Sequence, residues 1–254
     1  MSVRPRKALG QHFLVDENVL GVIGRLAELQ PDDVVLEVGP GLGVLTRFLA
    51  ARVALVHAVE IDETLARQLD VPPNVTSIVG DALQIDLHEL DPPPVKLVAN
   101  LPYNIATPLV VESLDGLPSV ELWCVMVQRE VADRFFAEPR TKAYGAVSVL
   151  VQLATQRTGF HPVSRNVFRP RPNVDSALVA FRRVELPTSF APVKELVEAA
   201  FAHRRKTLAN SLALTGLASR AAAEQSLARI GRDKTTRAEA LAPHEFVALA
   251  ETLP

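Results

Sequence analysis

The sequence holds a single cysteine, Cys124, among 254 residues. One thiol cannot build an intrachain disulfide framework, which fits a reducing compartment. Cys124 lies within Leu122-Trp123-Cys124-Val125-Met126-Val127, the setting of a buried structural thiol and not of a nucleophile. No apolar run approaches the ~20 residues that cross a bilayer, and the basic start Met1–Lys7 lacks the apolar core of a signal peptide. A cytoplasmic protein with no membrane partner is expected. The six histidines are scattered and no zinc-ligand spacing exists, so no metal is expected. Internal repeats and low-complexity tails are also missing. An excess of positive charge is missing too: the net charge of −2 argues at first against a nucleic-acid partner.

What is present begins with Asn100-Leu101-Pro102-Tyr103. This tetrad suits methylation of an exocyclic amine such as adenine N6, whose lone pair is delocalised into the ring. The Asn100 side-chain carbonyl and a nearby backbone carbonyl can accept hydrogen bonds from the amino hydrogens. Those acceptors hold the nitrogen and favour its change from planar to tetrahedral as a methyl arrives. An aromatic ring just past the proline can stack on the base, a contact worth roughly 1–3 kcal/mol. By itself the tetrad could equally be a turn that closes a strand.

Its neighbours decide. Val95–Ala99, Val34–Val38 and Ala54–Val59 are short apolar runs that read as strands, and Val75–Val79 reads as a further strand. Each is followed by groups suited to one part of a nucleoside ligand. These are the glycine turn Gly39-Pro40-Gly41-Leu42-Gly43, then Glu60-Ile61, then Gly80-Asp81-Ala82, and finally Asn100. A carboxylate at the tip of the second strand can accept from ribose hydroxyls, and an acid after the third from an adenine amino group. Singly, each acid could be a helix cap. Four consecutive strand ends point to one site, because ligands of open α/β sheets bind there. The glycine spacing also departs from Gly-x-Gly-x-x-Gly, the fingerprint that cradles a pyrophosphate. S-adenosylmethionine, which has no phosphate, fits better.

With these residues in view, the chain resembles the ribosomal small-subunit (16S) rRNA adenine dimethyltransferase family. The resemblance rests on Lys7–Leu14, Glu37–Thr46, Gly80–Leu83, Asn100–Asn104, Phe168–Ala177 and Phe201–Asn210, and so covers nearly the whole chain. It implies a class I methyltransferase (Rossmann-like) doubly wound α/β sheet with a small C-terminal α-helical domain, S-adenosylmethionine as cofactor, and a monomer. The implied substrate is N6 of adenosines near the 3' end of 16S rRNA in an immature small ribosomal subunit, with two adjacent positions dimethylated.

By position, the resemblance assigns cofactor contacts to Gln11, His12, Leu14, Gly39, Gly41, Glu60, Ile61, Asp81, Ala82 and Asn100. Asn100, the Leu101 carbonyl and Pro102 would hold the target amino group. Tyr103 would stack on a base flipped out of its helix, and Phe168 would be the second aromatic wall. His12 stands where Asn is frequent, Ala106 where Ser is frequent, and Asn173 where Lys is frequent; none removes a group that the chemistry needs.

Charge distribution supports an RNA partner better than net charge does. Residues 1–128 carry 8 Lys/Arg against 17 Asp/Glu, whereas residues 129–183 carry 10 against 4. Arg165, Arg169 and Arg171 flank Phe168 and can contact phosphates. Arg4, Arg6 and Lys7 form a basic tip, and Arg204-Arg205-Lys206 a second cluster.

The chain reads as a basic N-terminal segment over 1–16, a methyltransferase domain over 17–185, and a small helical RNA-binding domain over 186–254. A helix is expected over 17–29 with Asp16 as its N-cap. Further helices are expected over 45–51, 107–114 and 128–135, with a strand over 121–128. Val147–Gln156 and Ala177–Val184 read as an antiparallel strand pair. Leu227, Ile230, Leu241, Phe246 and Leu249 would form the core of the helical domain. Two other functions share these features. One is an adenine-N6 methyltransferase of large-subunit rRNA, of the macrolide-resistance type, which usually carries Ile at the position of Leu101. The other is a non-catalytic ribosome assembly factor, which would be expected to have lost Glu60, Asp81 or Asn100.

Overall fold

The computed structural model describes residues 11–185 and 190–253. Arg4, Arg6 and Lys7 therefore lie outside the described residues. Seven strands form one sheet in the order β4-β3-β2-β5-β6-β9-β7. They are β2 (Val34–Val38), β3 (Leu55–Glu60), β4 (Val75–Val79), β5 (Lys96–Asn100), β6 (Leu122–Gln128), β7 (Thr155–Val163) and β9 (Ser176–Arg183). β2 through β6 pair in parallel, and β9 runs antiparallel to β6. Parallel strands covered on both faces read as unbroken apolar runs, which is why β2, β3, β5 and β6 were visible in the sequence.

Helices connect the strands: α1 (Glu17–Leu26), α2 (Val44–Ala50), α3 (Glu63–Gln68), α4 (Ala106–Gly116) and α5 (Arg129–Phe135). Asp16 caps α1 as expected, its carboxylate accepting from the Asn18 N–H at 2.8 Å. The order reverses between β2 and β5, the topological switch point at which such sheets bind ligands. A two-stranded sheet of β1 (Phe13–Leu14) and β8 (Phe168–Arg169) stands apart from the seven.

The chain divides into two compact units. The first comprises residues up to Ala132 and Gln156–Arg183; the second comprises Asp133–Thr155 and everything from Val184 onward. The helical unit thus includes a segment from the middle of the sequence as well as the stretch after 185. That segment holds α6 (Ala146–Ala154), over residues read above as a strand. In α6 the apolar residues face in several directions, and Val147, Val149, Leu150 and Val151 are all buried. It packs within the second unit against α7 (Phe190–Phe201) and α10 (Pro243–Thr252). Its start is fixed by the Ser148 hydroxyl, which accepts from the Gly145 N–H at 3.1 Å. The strand beside β9 is instead β7, which follows directly. α8 (Leu208–Thr215) and α9 (Arg220–Arg229) complete the second unit, with Leu227, Leu241, Phe246 and Leu249 fully buried and Ile230 only partly so.

Among the described residues, no helix is long and apolar enough to cross a membrane, and no group of three or more His, Cys, Asp or Glu residues could hold a metal ion.

Candidate active site

The carboxyl ends of β2, β3 and β5 open onto a cleft of about 690 Å³ in the first unit. Its lining includes Gln11–Leu14, Gly39–Leu42, Glu60-Ile61 and Asn100–Tyr103, together with Glu37. A second hollow of about 500 Å³ shares Gly39, Glu60, Ile61 and Pro102 with the first and adds Asp81 and Ala82. Every residue expected at the cofactor site from Gln11 to Asn100 thus lines one of two adjoining cavities. Two glycines make the room. Gly39 has φ +76°, and a Cβ on it would stand 3.1 Å from Pro102 Cδ; Gly41 has φ +57°, and its Cβ would meet the Phe13 ring at 3.0 Å.

Glu60 organises the floor. One of its carboxylate oxygens accepts from the Gly41 N–H and the other from the Asp62 N–H, both at 3.0 Å. Burial raises its pKa above the ordinary carboxylate value. Asp81 starts a turn, its Oδ1 accepting from the Leu83 N–H at 3.0 Å. Beside these acids stand two apolar side chains with unusual exposure, Leu42 at 40% and Ile61 at 50%. Exposed apolar groups in a cleft offer a surface to a ring. Ile61 belongs to the expected site; Leu42 and Glu37 lie in the glycine motif but carry no role expected from the sequence.

Asn100 and Leu101 are held so that their acceptors stay unused. The Asn100 Nδ2 donates to the His12 carbonyl at 3.1 Å, which turns Oδ1 away from that bond. The Leu101 N–H donates to the Met126 carbonyl at 3.0 Å on the neighbouring strand. Among the described residues nothing donates to Asn100 Oδ1 or to the Leu101 carbonyl. Tyr103 follows, its hydroxyl 2.7 Å from Ser176 Oγ on β9 and its pKa raised by burial.

Phe168 needs correction. It was expected to wall the target base, yet it is 0% exposed and packs among Leu14, Val19, Leu45 and Leu178. Side chains alternate along a strand. In the two-residue β8, Arg169 therefore takes the outward side and Phe168 the inward one. The ring that meets Tyr103 is His12, with centroids 5.5 Å apart at 34°. His12 is anchored in turn by Nδ1, 2.8 Å from the Pro170 carbonyl. Phe168→Leu is expected to cost about 1 kcal/mol of stability and to leave kcat within about threefold. Thermal melts beside single-turnover rates check this. A hundredfold loss of kcat at unchanged stability would return Phe168 to the base site.

The expected RNA contacts differ in how they are held. Arg169, the last residue of β8, and Arg171, on the loop after it, are exposed. Arg165 is braced by a 2.8 Å bond from Nη1 to the Asn173 carbonyl. In the second unit, Arg204 donates to the Tyr144 carbonyl at 2.8 Å and sits 3.7 Å from Glu239, which gives it a bracing role within the helices; Arg205 and Lys206 are exposed.

Glu37 carries an electrostatic signature of the cleft. It is 1% exposed, its Oε2 has no hydrogen-bond partner among the described residues, and burial pushes its pKa up to about 8. The folded state therefore binds a proton that the unfolded chain releases near 4.5. Stability from this group is complete below that value and is lost as pH rises toward 8. Glu37→Gln, neutral throughout, is expected to flatten this slope. It should raise Tm at pH 8 by on the order of 4 °C, with no gain at pH 5. Parallel melts at the two pH values decide, and equal slopes would count against it.

Comparison with known proteins follows the same lines. Residues 3–253 match the family model described as ribosomal RNA adenine dimethylase. A ribosomal RNA small subunit methyltransferase A from Rubrobacter xylanophilus is 49% identical, over 97% of this chain and 94% of that protein. One of the same name from Thermobifida fusca is 45% identical, over 100% and 92%. Among solved structures, the 23S rRNA methyltransferase ErmE is 31% identical with a TM-score of 0.66, over 95% of this chain and 99% of its own. A dimethyladenosine transferase from Plasmodium falciparum shares the fold with a TM-score of 0.77 at 24% identity, over 94% and 96%. Motifs, cleft and full-length matches agree: this chain is a methyltransferase of class I fold and belongs to the ribosomal RNA adenine dimethylase family.

Proposed function

We propose that this protein transfers methyl groups from S-adenosylmethionine to N6 of adenosines in small-subunit rRNA, dimethylating two adjacent ones near the 3' end of 16S rRNA during subunit maturation. The observation that carries the reading is the pair of undonated acceptors, Asn100 Oδ1 and the Leu101 carbonyl, each fixed by a bond from its own residue to a neighbouring segment. Two acceptors match the two hydrogens of an adenine amino group.

The residues present fit the cofactor. Gly39 and Gly41 leave space that any Cβ would fill, Leu42 and Ile61 offer apolar surface, and Glu37 Oε2 is a buried polar atom with no hydrogen-bond partner among the described residues. S-adenosylmethionine, when bound, supplies a methyl on a positively charged sulfur, which is a good leaving group. The chain's own contribution is then positioning. Asn100 and Leu101 orient the amino nitrogen, Tyr103 stacks on the flipped base, and the proton leaves N6 to water after transfer. No general base is needed. For the second methyl, one amino hydrogen remains, and one of the two acceptors suffices to hold it.

The relatives at 45–49% identity bear a small-subunit name, whereas ErmE, at 31%, bears a large-subunit one, so the small subunit is favoured. The test incubates the protein with labelled S-adenosylmethionine and under-methylated small subunits, with naked large-subunit RNA as competitor. Dimethyladenosine confined to small-subunit RNA is expected. Label on the large-subunit RNA would move the protein to the resistance-type reading. Tight subunit binding without label would leave an assembly factor.

A further inference from the structure

The reaction as described leaves a third hollow unused. It offers about 340 Å³ beyond the end of β6, within the size range of ligand sites. It belongs to the first unit and lies beside the Tyr103 anchor. In the sheet register Asn100 is opposite Met126, and Gln128, which lines the hollow, is opposite Ser176. Ser176 is the residue whose hydroxyl holds Tyr103. Two residues along one strand and one strand across amount to roughly 8 Å. The hollow therefore opens within one unstacked nucleotide of the target amino group.

Its lining suits a base better than a phosphate. Glu130 and Asp175 are carboxylates that repel an anion and accept from amino groups, and Gln128 and Asn173 add amides that both donate and accept. Val174 is 45% exposed and contributes an apolar contact. Two guanidiniums are already ordered. Arg129 lies 4.8 Å from the Phe160 ring centre, and Arg165 is tied to the Asn173 carbonyl, its backbone N–H donating to Asp175 Oδ1 at 3.1 Å. Ordered side chains lose little entropy when a ligand arrives, and a guanidinium plane is a stacking surface for an unpaired base.

Resting on the function proposed above, we infer that this groove seats the base next to the target adenine and selects one that carries an exocyclic amino group. The groove then sets which adenine is presented, because the neighbour must be unstacked and docked before the target reaches Asn100.

The test uses under-methylated small subunits in which each nucleotide flanking the target is changed in turn to uridine. The enzymes are the wild type and Val174→Asp, which adds charge to the groove and removes no hydrogen bond; Arg129→Gln serves as a second variant. Cofactor affinity and thermal melts verify that each variant is folded. For the wild type, uridine at one flank is expected to lower kcat/KM about tenfold. Each variant should lower kcat/KM on the unaltered subunit by a similar factor, through KM for the subunit and not for the cofactor. Combined, variant and uridine should lose no more than either alone. Multiplying effects, or variants indistinguishable from the wild type, would overturn the groove while leaving the methyltransferase reading intact. A wild type that methylates no small subunit would remove that reading, and this one with it.

Discussion

Asn100→Ala is expected to lower kcat by about 10²–10³ while changing cofactor affinity less than threefold. The size follows from what is removed. Asn100 Oδ1 accepts from none of the described residues and is aimed by a bond from its own Nδ2 to the His12 carbonyl. An acceptor that gains strength only as the target nitrogen becomes tetrahedral stabilises the transition state more than the bound substrate, so its loss falls on kcat. Asn100→Asp should be nearly as damaging, because a carboxylate cannot donate to the His12 carbonyl. Single-turnover methylation of small subunits, alongside calorimetric cofactor binding, separates the two quantities. A variant that kept a tenth of the wild-type rate would move the orienting role to the Leu101 carbonyl.

Lys96→Met is expected to have the largest effect on stability, about 3–5 kcal/mol, with little effect on rate at low temperature. Lys96 begins β5, at the end of the sheet opposite the cleft, and is buried together with Asp33. Its ammonium donates to Asp33 Oδ2 and to the Glu28 carbonyl, each at 2.6 Å. Without it, Asp33 keeps a bond from the Gln30 N–H at 2.7 Å but remains a buried carboxylate with no opposite charge. For a chain of this size each kcal/mol shifts Tm by about 2–4 °C, so a fall of roughly 6–20 °C is anticipated. Pairing Lys96→Met with Asp33→Leu should recover most of it, since the penalty comes from the stranded charge and not from the missing pair. A melt of Lys96→Met within 2 °C of the wild type would show that water reaches Asp33.

Much of the cleft was legible in the sequence because Gly39–Leu42, Glu60 and Asn100 follow strands whose burial left an apolar run. Asp81 follows the largely exposed β4 and was found by its place after a further strand, and the order β4-β3-β2-β5 brings these residues together. Side-chain direction was not legible. In the two-residue β8 nothing in the sequence tells which of Phe168 and Arg169 faces inward, and the aromatic was assigned to the wrong side. The Ser176–Tyr103 bond spans 73 positions, a pairing no local pattern encodes. The misread of α6 has another cause. A short Val-rich run buried on several faces loses its helical period, and the β-branched residues then favour a strand reading. The exposed Leu42 was invisible as such, since composition does not report which apolar residue will be left uncovered.

The division at Asp133, Gln156 and Val184 bears on how the molecule is made. The polypeptide crosses from one unit to the other three times, so neither unit is a continuous message. During vectorial synthesis α6 emerges well before α7 and α10, the helices that will cover it. At 5–20 residues per second the wait for α10 is roughly 5–20 s. Through that interval Val147, Val149 and Leu150 are apolar surface without the cover they have in the folded unit. Nor does a single cut at 185 yield a self-sufficient catalytic fragment. Dissection requires excising 133–155 and rejoining its flanks.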